Sequence, residues 1–149
     1  ALAIDENRSP FQPTLWDDKL KPGQHVEQVW FCGAHSDVGG GYLEAKASDI
    51  ALDSMLKKAS SVGLKLDEEA GQTYPITIDP FGPLHDSKKG IHWFGKRVFR
   101  EIGLAKNTGQ HDNTQTVHDS VRRRWDADPF YRPPQLLDYF RRIGDFRGQ

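Results

Sequence analysis

An aspartate and a histidine, two residue types that carry out acid–base catalysis in hydrolases, each lie on a predicted loop. Asp37 comes shortly after the apolar run at residues 26–32, and His118 lies much later in the chain. A carboxylate can fix the tautomer of an imidazole, and the imidazole can then pass a proton between a nucleophile and a leaving group. The acid-before-base order is that of one group of serine hydrolases, so the pair predicts acid–base chemistry of that kind.

The loop that carries Asp37 is rich in glycine and polar residues. The other residues of this loop that we single out are His35, Ser36, Gly39, Gly40 and Gly41. Three consecutive glycines allow positive φ and close approach of a backbone or a ligand, but neither common phosphate-binding glycine pattern is present. Two other roles stay open. Asp37 can cap the backbone N–H groups around Gly39, Gly40 and Gly41, and His35 with Asp37 can contact a metal ion.

The elements that position this loop predict an α/β fold. Residues 26–32 are apolar without alternation, which is typical of a strand covered on both faces in a parallel sheet. Apolar residues then recur at helical spacing from a cap at Ser48 or Asp49 to a stop at Gly63. Strand, loop and helix in this order form half of a βαβ unit. Because one strand cannot make a sheet, we expect the remaining strands on a segment outside this chain or on a partner.

We expect the 149 residues to form part of one domain. Residues 1–24 are predicted to be irregular, residues 25–63 to form the strand, loop and helix with the acid, and residues 64–149 to be rich in loops and to carry the base. Within the last region, residues 91–99 predict a short amphipathic helix. That helix is expected to pack on the sheet, with a lid or a membrane contact as the alternative.

Composition excludes several classes of protein. The formal net charge is -1, which gives no basic surplus for nucleic acid. The single cysteine, Cys32, excludes an internal disulfide, and no apolar run approaches the length of a membrane span. Sixteen aromatic residues argue against a disordered tail, although the mean hydropathy is -0.69. The sequence has no initiator Met and no signal-peptide layout, so we expect it to begin inside something larger.

The loop and several other segments together resemble a known family. The sequence WFCGAHSDVGGGY at residues 30–42 is similar to the hallmark of an uncharacterised α/β-hydrolase family that includes type VI secretion phospholipase effectors. Residues 1–6, 48–52, 83–87 and 117–121 resemble further family segments in family order. The resemblance implies the C-terminal half of an α/β-hydrolase catalytic domain, a mostly parallel sheet flanked by helices, whose N-terminal strands and nucleophile elbow precede this chain.

The resemblance also implies an activity and its residues. It implies a serine hydrolase of ester bonds, lipase-like or phospholipase-like, with Asp37 as the triad acid and His118 as the base. His85 is the alternative base, since it sits in a similar His-Asp-Ser context. The serine is expected upstream of Ala1, so this chain alone is expected to be inactive. No cofactor and no metal is required by this scheme.

The expected partners are the upstream half of the same domain, a lipid or ester substrate and, as a weaker alternative, a membrane surface. The resemblance implies synthesis in a bacterial cytoplasm and, as one route, export by type VI secretion to a target cell. A rival hypothesis is a non-catalytic module that complements another chain and uses the glycine loop as its interface. The third hypothesis is a metal-binding domain at His35 and Asp37.

Overall fold

Short strands and helices follow one another along the chain. A computed structural model describes residues 1–86 and 97–145. The elements are β1 (Leu2–Ala3), a 3-10 helix (Ser9–Phe11), β2 (Gln28–Phe31), α1 (His35–Gly39), α2 (Lys46–Ser61), α3 (Glu68–Thr73), β3 (Gln115–Val117), α4 (Asp119–Ala127) and α5 (Pro134–Arg142). No helix among the described residues is long and apolar enough to cross a membrane.

The three strands form one parallel sheet in the order β1-β2-β3. Leu2 pairs with Trp30 on one side of the central strand, and Gln28 pairs with Gln115 on the other. The expectation that the partners of β2 lie outside this chain is therefore wrong for two strands. Both were overlooked because two and three residues are too few to show a strand pattern. For the same reason residues 1–24 are not wholly irregular.

Helices cover both faces of the sheet, as the continuous apolar run in β2 predicts. On one face, Trp30 packs in a cluster with residues of α4 and α5, including Val121 and Leu136. On the other face, Phe31 packs with Val38 of α1 and Ile50 of α2. Adjacent residues of a strand point to opposite faces, so β2 must be apolar at consecutive positions. The architecture is a small α/β unit.

Helix α2 begins before either of the residues expected to cap it. It starts at Lys46, and the Ser48 hydroxyl donates to the Ala45 carbonyl within its first turn. The Asp49 carboxylate instead accepts from the backbone N–H of Thr77, which fixes a distant loop on the helix. The helix ends at Ser61, and Gly63 follows with φ of 102°, the left-handed conformation that favours glycine.

The C-terminal region contains two further helices, α4 directly after β3 and α5 directly after Pro133. Residue 117 ends β3, and α4 begins at Asp119. Residues 91–96 of the predicted amphipathic helix lie outside the described residues. Its last residues are described, and Arg97 forms an isolated antiparallel bridge with Arg8.

Candidate active site

Asp37 lies at the carboxyl end of the central strand, in the third position of α1, and its side chain is 1% exposed. One carboxylate oxygen, Oδ2, accepts hydrogen bonds from the backbone N–H groups of Ala34 (2.8 Å) and His85 (3.0 Å). The other, Oδ1, lies 2.7 Å from Nδ1 of His85. A buried carboxylate needs such donors, because burial without them is costly. Asp37 thus caps the N–H groups of Ala34 and His85, not those around residues 39–41 as expected, and also binds an imidazole.

The His85 ring lies over Asp37 in a defined orientation. The Tyr42 ring stacks on it with 3.7 Å between ring centroids. Because a carboxylate only accepts, Nδ1 donates its proton to Asp37, and the neutral ring then carries its lone pair on Nε2. Nε2 lies 3.7 Å from the exposed carboxylate of Glu44. This is the tautomer and the support that a general base requires.

His118 is placed differently, although its sequence context resembles that of His85. It is the N-cap of α4, and its Nδ1 accepts from the backbone N–H of Ser120. The ring stacks on Phe31, and burial lowers the pKa of His118. Accepting at Nδ1 fixes the proton of the neutral ring on Nε2, which is the opposite tautomer from that of His85. The structure therefore gives the Asp37 contact to His85, and the preferred pairing of Asp37 with His118 has no such contact.

The glycine loop shapes the approach to this pair. Gly40 and Gly41 have φ of 87° and 118°, so the chain turns sharply after α1 and brings Tyr42 over His85. Gly39 is the last residue of α1. Positive φ is a conformation that other residues rarely adopt. Gly40 and Gly41 therefore serve the geometry of the pair.

A second carboxylate, that of the partly buried Asp5, adjoins the site and was missed by the sequence analysis. Its Oδ2 accepts from the Gly33 backbone N–H (2.7 Å) and from the Tyr131 hydroxyl (2.8 Å). Burial raises the pKa of Asp5, with a smaller contribution from the charge of Asp37. Asp5 follows β1, so the rule that functional groups gather at strand ends would have found it had that two-residue strand been recognised.

The loop that carries His85 is held by a buried arginine of α4. Nε of Arg124 donates to the Pro80 carbonyl at 2.8 Å, and Nη2 donates to the Gly82 carbonyl. A planar guanidinium presents both donors in a fixed geometry. Arg124 therefore joins helix α4 to the segment leading to His85. Its two neighbours in the arginine run, Arg122 and Arg123, are more exposed.

A cleft of about 360 Å³ opens beside His85 among the described residues. Its wall combines Phe99 and Phe130, both accessible apolar rings, with the half-exposed Arg97. Asp5 and Tyr131 also line it. Apolar walls with a few polar groups are typical of a small-molecule site.

Among the described residues, no group of three or more histidine, cysteine, aspartate and glutamate side chains is arranged to hold a metal ion. His35 is bound to Glu6, with its Nδ1 2.7 Å from Oε2 of that carboxylate, and Asp37 is bound to His85. The two residues of the alternative metal site thus have different partners.

Comparison with known proteins gives one match. Residues 1–58, less than half of the chain, match the model of the family described as the catalytic domain of Tle1-like type VI secretion phospholipase effectors. The match covers β1, β2, α1, Asp37 and most of α2. No curated protein and no solved structure shows a significant match to the chain. The similarity supports a phospholipase-like function.

Proposed function

We propose that this chain supplies the acid and the base of a serine hydrolase that cleaves carboxylic ester bonds of phospholipids, with Asp37 as the acid and His85 as the base. The observation that carries the proposal is the 2.7 Å contact between Nδ1 of His85 and Oδ1 of the buried Asp37. A carboxylate bound at Nδ1 leaves Nε2 to accept the proton of a nucleophile. Nδ1 of His118 instead accepts the N-cap hydrogen bond of α4, which favours His85 as the base.

The reaction requires a serine hydroxyl within reach of Nε2. We place that serine upstream of Ala1, on the half of the domain that the family resemblance implies. Its oxygen attacks the ester carbonyl while Nε2 takes its proton, and the imidazolium then protonates the departing alcohol. Water repeats the two steps to release the fatty acid. Asp37 holds the ring in one tautomer and stabilises the imidazolium that forms during the step.

The substrate class rests on two independent supports. The family matched by residues 1–58 is described as phospholipase effectors. The cleft beside His85 offers Phe99 and Phe130 to an acyl chain. The Arg97 guanidinium, 3.9 Å from the Asp86 carboxylate on the same wall, is the positive group that would attract a phosphate. The two walls suit the two ends of a phospholipid.

The decisive experiment substitutes each of the two histidines separately in the complete protein and measures turnover on phosphatidylglycerol vesicles. His85→Gln should lower kcat by at least about 10³-fold, the scale of losing a triad base. The matched control is His118→Asn, because asparagine retains an N-cap oxygen; its kcat should stay within about threefold.

The other outcomes are equally informative. Loss of turnover in His118→Asn with full activity in His85→Gln would overturn the assignment of the base. No turnover in the unmodified protein, together with stable binding of this chain to the upstream half, would replace the proposed hydrolase with the complementation module.

A further inference from the structure

A second chain of hydrogen bonds runs from a buried carboxylate through an imidazole to a serine, away from the Asp37 site. Oε2 of Glu6 lies 2.7 Å from Nδ1 of His35, and Nε2 of His35 lies 3.1 Å from the hydroxyl oxygen of Ser36. The Glu6 side chain is fully buried, while that of His35 is 43% exposed. A nucleophile in reach of a base that a third group orients is the general signature of an activated hydroxyl.

The surroundings of His35 hold its ring in one orientation. The Phe11 ring stacks on the His35 ring with 4.6 Å between ring centroids. The Arg8 guanidinium lies over the Phe11 ring, 4.0 Å from its centroid. Nη2 of Arg8 lies 2.9 Å from Nδ1 of His35 and 2.8 Å from Glu6 Oε2. Arginine can only donate, so its contact with Nδ1 uses that atom as an acceptor, whereas the Glu6 contact uses it as a donor. Activation of a hydroxyl requires the second tautomer, in which Nδ1 of His35 gives its proton to Glu6 and Arg8 donates to the carboxylate. Nε2 is then left to accept from Ser36.

Access to the Ser36 hydroxyl is open on the side of the glycine loop. A Cβ placed on Gly41 would lie 4.0 Å from the Ser36 oxygen, an ordinary contact distance. A Cβ placed on Gly40 or Gly39 would meet nothing within 4 Å. Ser36 is itself partly exposed, and its contact with His35 lies at the surface, so a small electrophile can approach the hydroxyl.

We propose that Ser36 is a second nucleophilic serine, activated by His35 and Glu6, which accepts acyl or phosphonyl groups from small activated esters and fluorides. In the step, the Ser36 oxygen forms a bond to the electrophilic carbon or phosphorus. His35 Nε2 takes the hydroxyl proton, and the bond to the leaving group breaks, so that an alkoxide or fluoride departs. The site uses no residue of the Asp37–His85 pair.

The test is covalent labelling of the complete protein with a short-chain alkyl fluorophosphonate, followed by peptide mass mapping. Ser36 should carry the phosphonyl group. His35→Gln should slow labelling of Ser36 by about a hundredfold, the usual contribution of a general base. Ser48→Ala is the matched control, since its hydroxyl donates to the Ala45 carbonyl rather than to a histidine; it should leave the labelling rate of Ser36 unchanged.

Peptide mapping scores a label on any other serine separately, so the proposed phospholipase nucleophile does not confuse the result. An unlabelled Ser36, or an equal rate in His35→Gln, overturns the proposal. The pH dependence in the unmodified protein gives a test that needs no variant. Labelling through His35, between Glu6 and Arg8, levels off once the imidazole is neutral, whereas an unassisted hydroxyl continues to accelerate with pH.

Discussion

Gly33 and Asp37 are in such close contact that a side chain at position 33 would occupy the place of the carboxylate. A Cβ built on Gly33 would lie 2.4 Å from Cβ of Asp37 and 2.7 Å from its Oδ2. The glycine also has φ of 100°, in the left-handed region. Its backbone N–H donates to Asp5, so the turn that presents Asp37 is fixed from both sides.

Gly33→Ala should therefore damage both the fold and the site. We expect the free energy of unfolding to fall by about 3 kcal/mol, from backbone strain and overpacking together, and turnover to fall with it because Asp37 is displaced. Gly39→Ala is the control: a Cβ at Gly39 meets nothing within 4 Å, and its φ is not positive. Urea unfolding and phospholipid turnover measure the two effects, and equal stabilities of the two variants would contradict the prediction.

The parts of the fold that the sequence predicted are those with a long apolar pattern. Strand β2 and helix α2 both occur close to their predicted positions, although the buried residues of α2 are only Ala47, Ile50 and Ala51. Strand β3 was missed because its key side chain is polar: Gln115 is 2% exposed and accepts from Trp30 Nε1 at 3.0 Å. A polar residue satisfied by tertiary contacts leaves no periodic signal in the sequence.

The candidate site shows the same division. Asp37 was identified because it follows the one strand with a strong pattern. Its partner depends on which of two similar His-Asp-Ser segments passes over that strand end, and the sequence favoured His118. The structure uses the Nδ1 of His118 for a local cap and brings His85 to Asp37 by way of a loop held by Arg124. Such long-range anchoring cannot be inferred from residue types alone.

Asp5 should make stability depend on pH. Its pKa is raised above 3.8 by burial, so the folded state binds its proton more tightly than the unfolded state does. The stabilisation from this group is complete below pH 3.8 and is lost as pH rises through the raised pKa. Asp5→Asn has no charge to bury and still offers an oxygen to Gly33 and Tyr131. Its melting temperature should fall less than that of the unmodified protein between pH 4 and pH 8.

Calorimetric melting curves at several pH values measure this difference, with the exposed Asp138→Asn as control. Asp138 is 61% exposed in its side chain, so its removal should leave the pH dependence as it was. Parallel pH profiles for Asp5→Asn and the unmodified protein would show that folding does not raise the pKa of Asp5.

Cys32 should be nearly inert toward thiol reagents in the folded protein. Burial raises its pKa to about 12 from an ordinary 9.0. The thiolate is the reactive form, so at pH 8 its population falls by about a thousandfold. Alkylation with iodoacetamide should be slower than in urea-unfolded protein by at least that factor. Comparable rates in the two states would mean that the thiol is accessible and ionised in the fold.

Arg124 should act on catalysis through the position of His85 rather than by touching substrate. Lysine retains the charge but cannot donate from two nitrogens in one plane, so Arg124→Lys loses one of the two bonds to the Pro80 and Gly82 carbonyls. Arg123→Lys makes the same exchange at an exposed position of α4 and serves as the control. We expect kcat on phospholipid vesicles to fall about tenfold in Arg124→Lys with KM unchanged, since a small displacement of a base lowers the rate without weakening binding. A change in KM alone would instead assign Arg124 to substrate binding, and no change in either constant would show that the His85 loop keeps its position without this arginine.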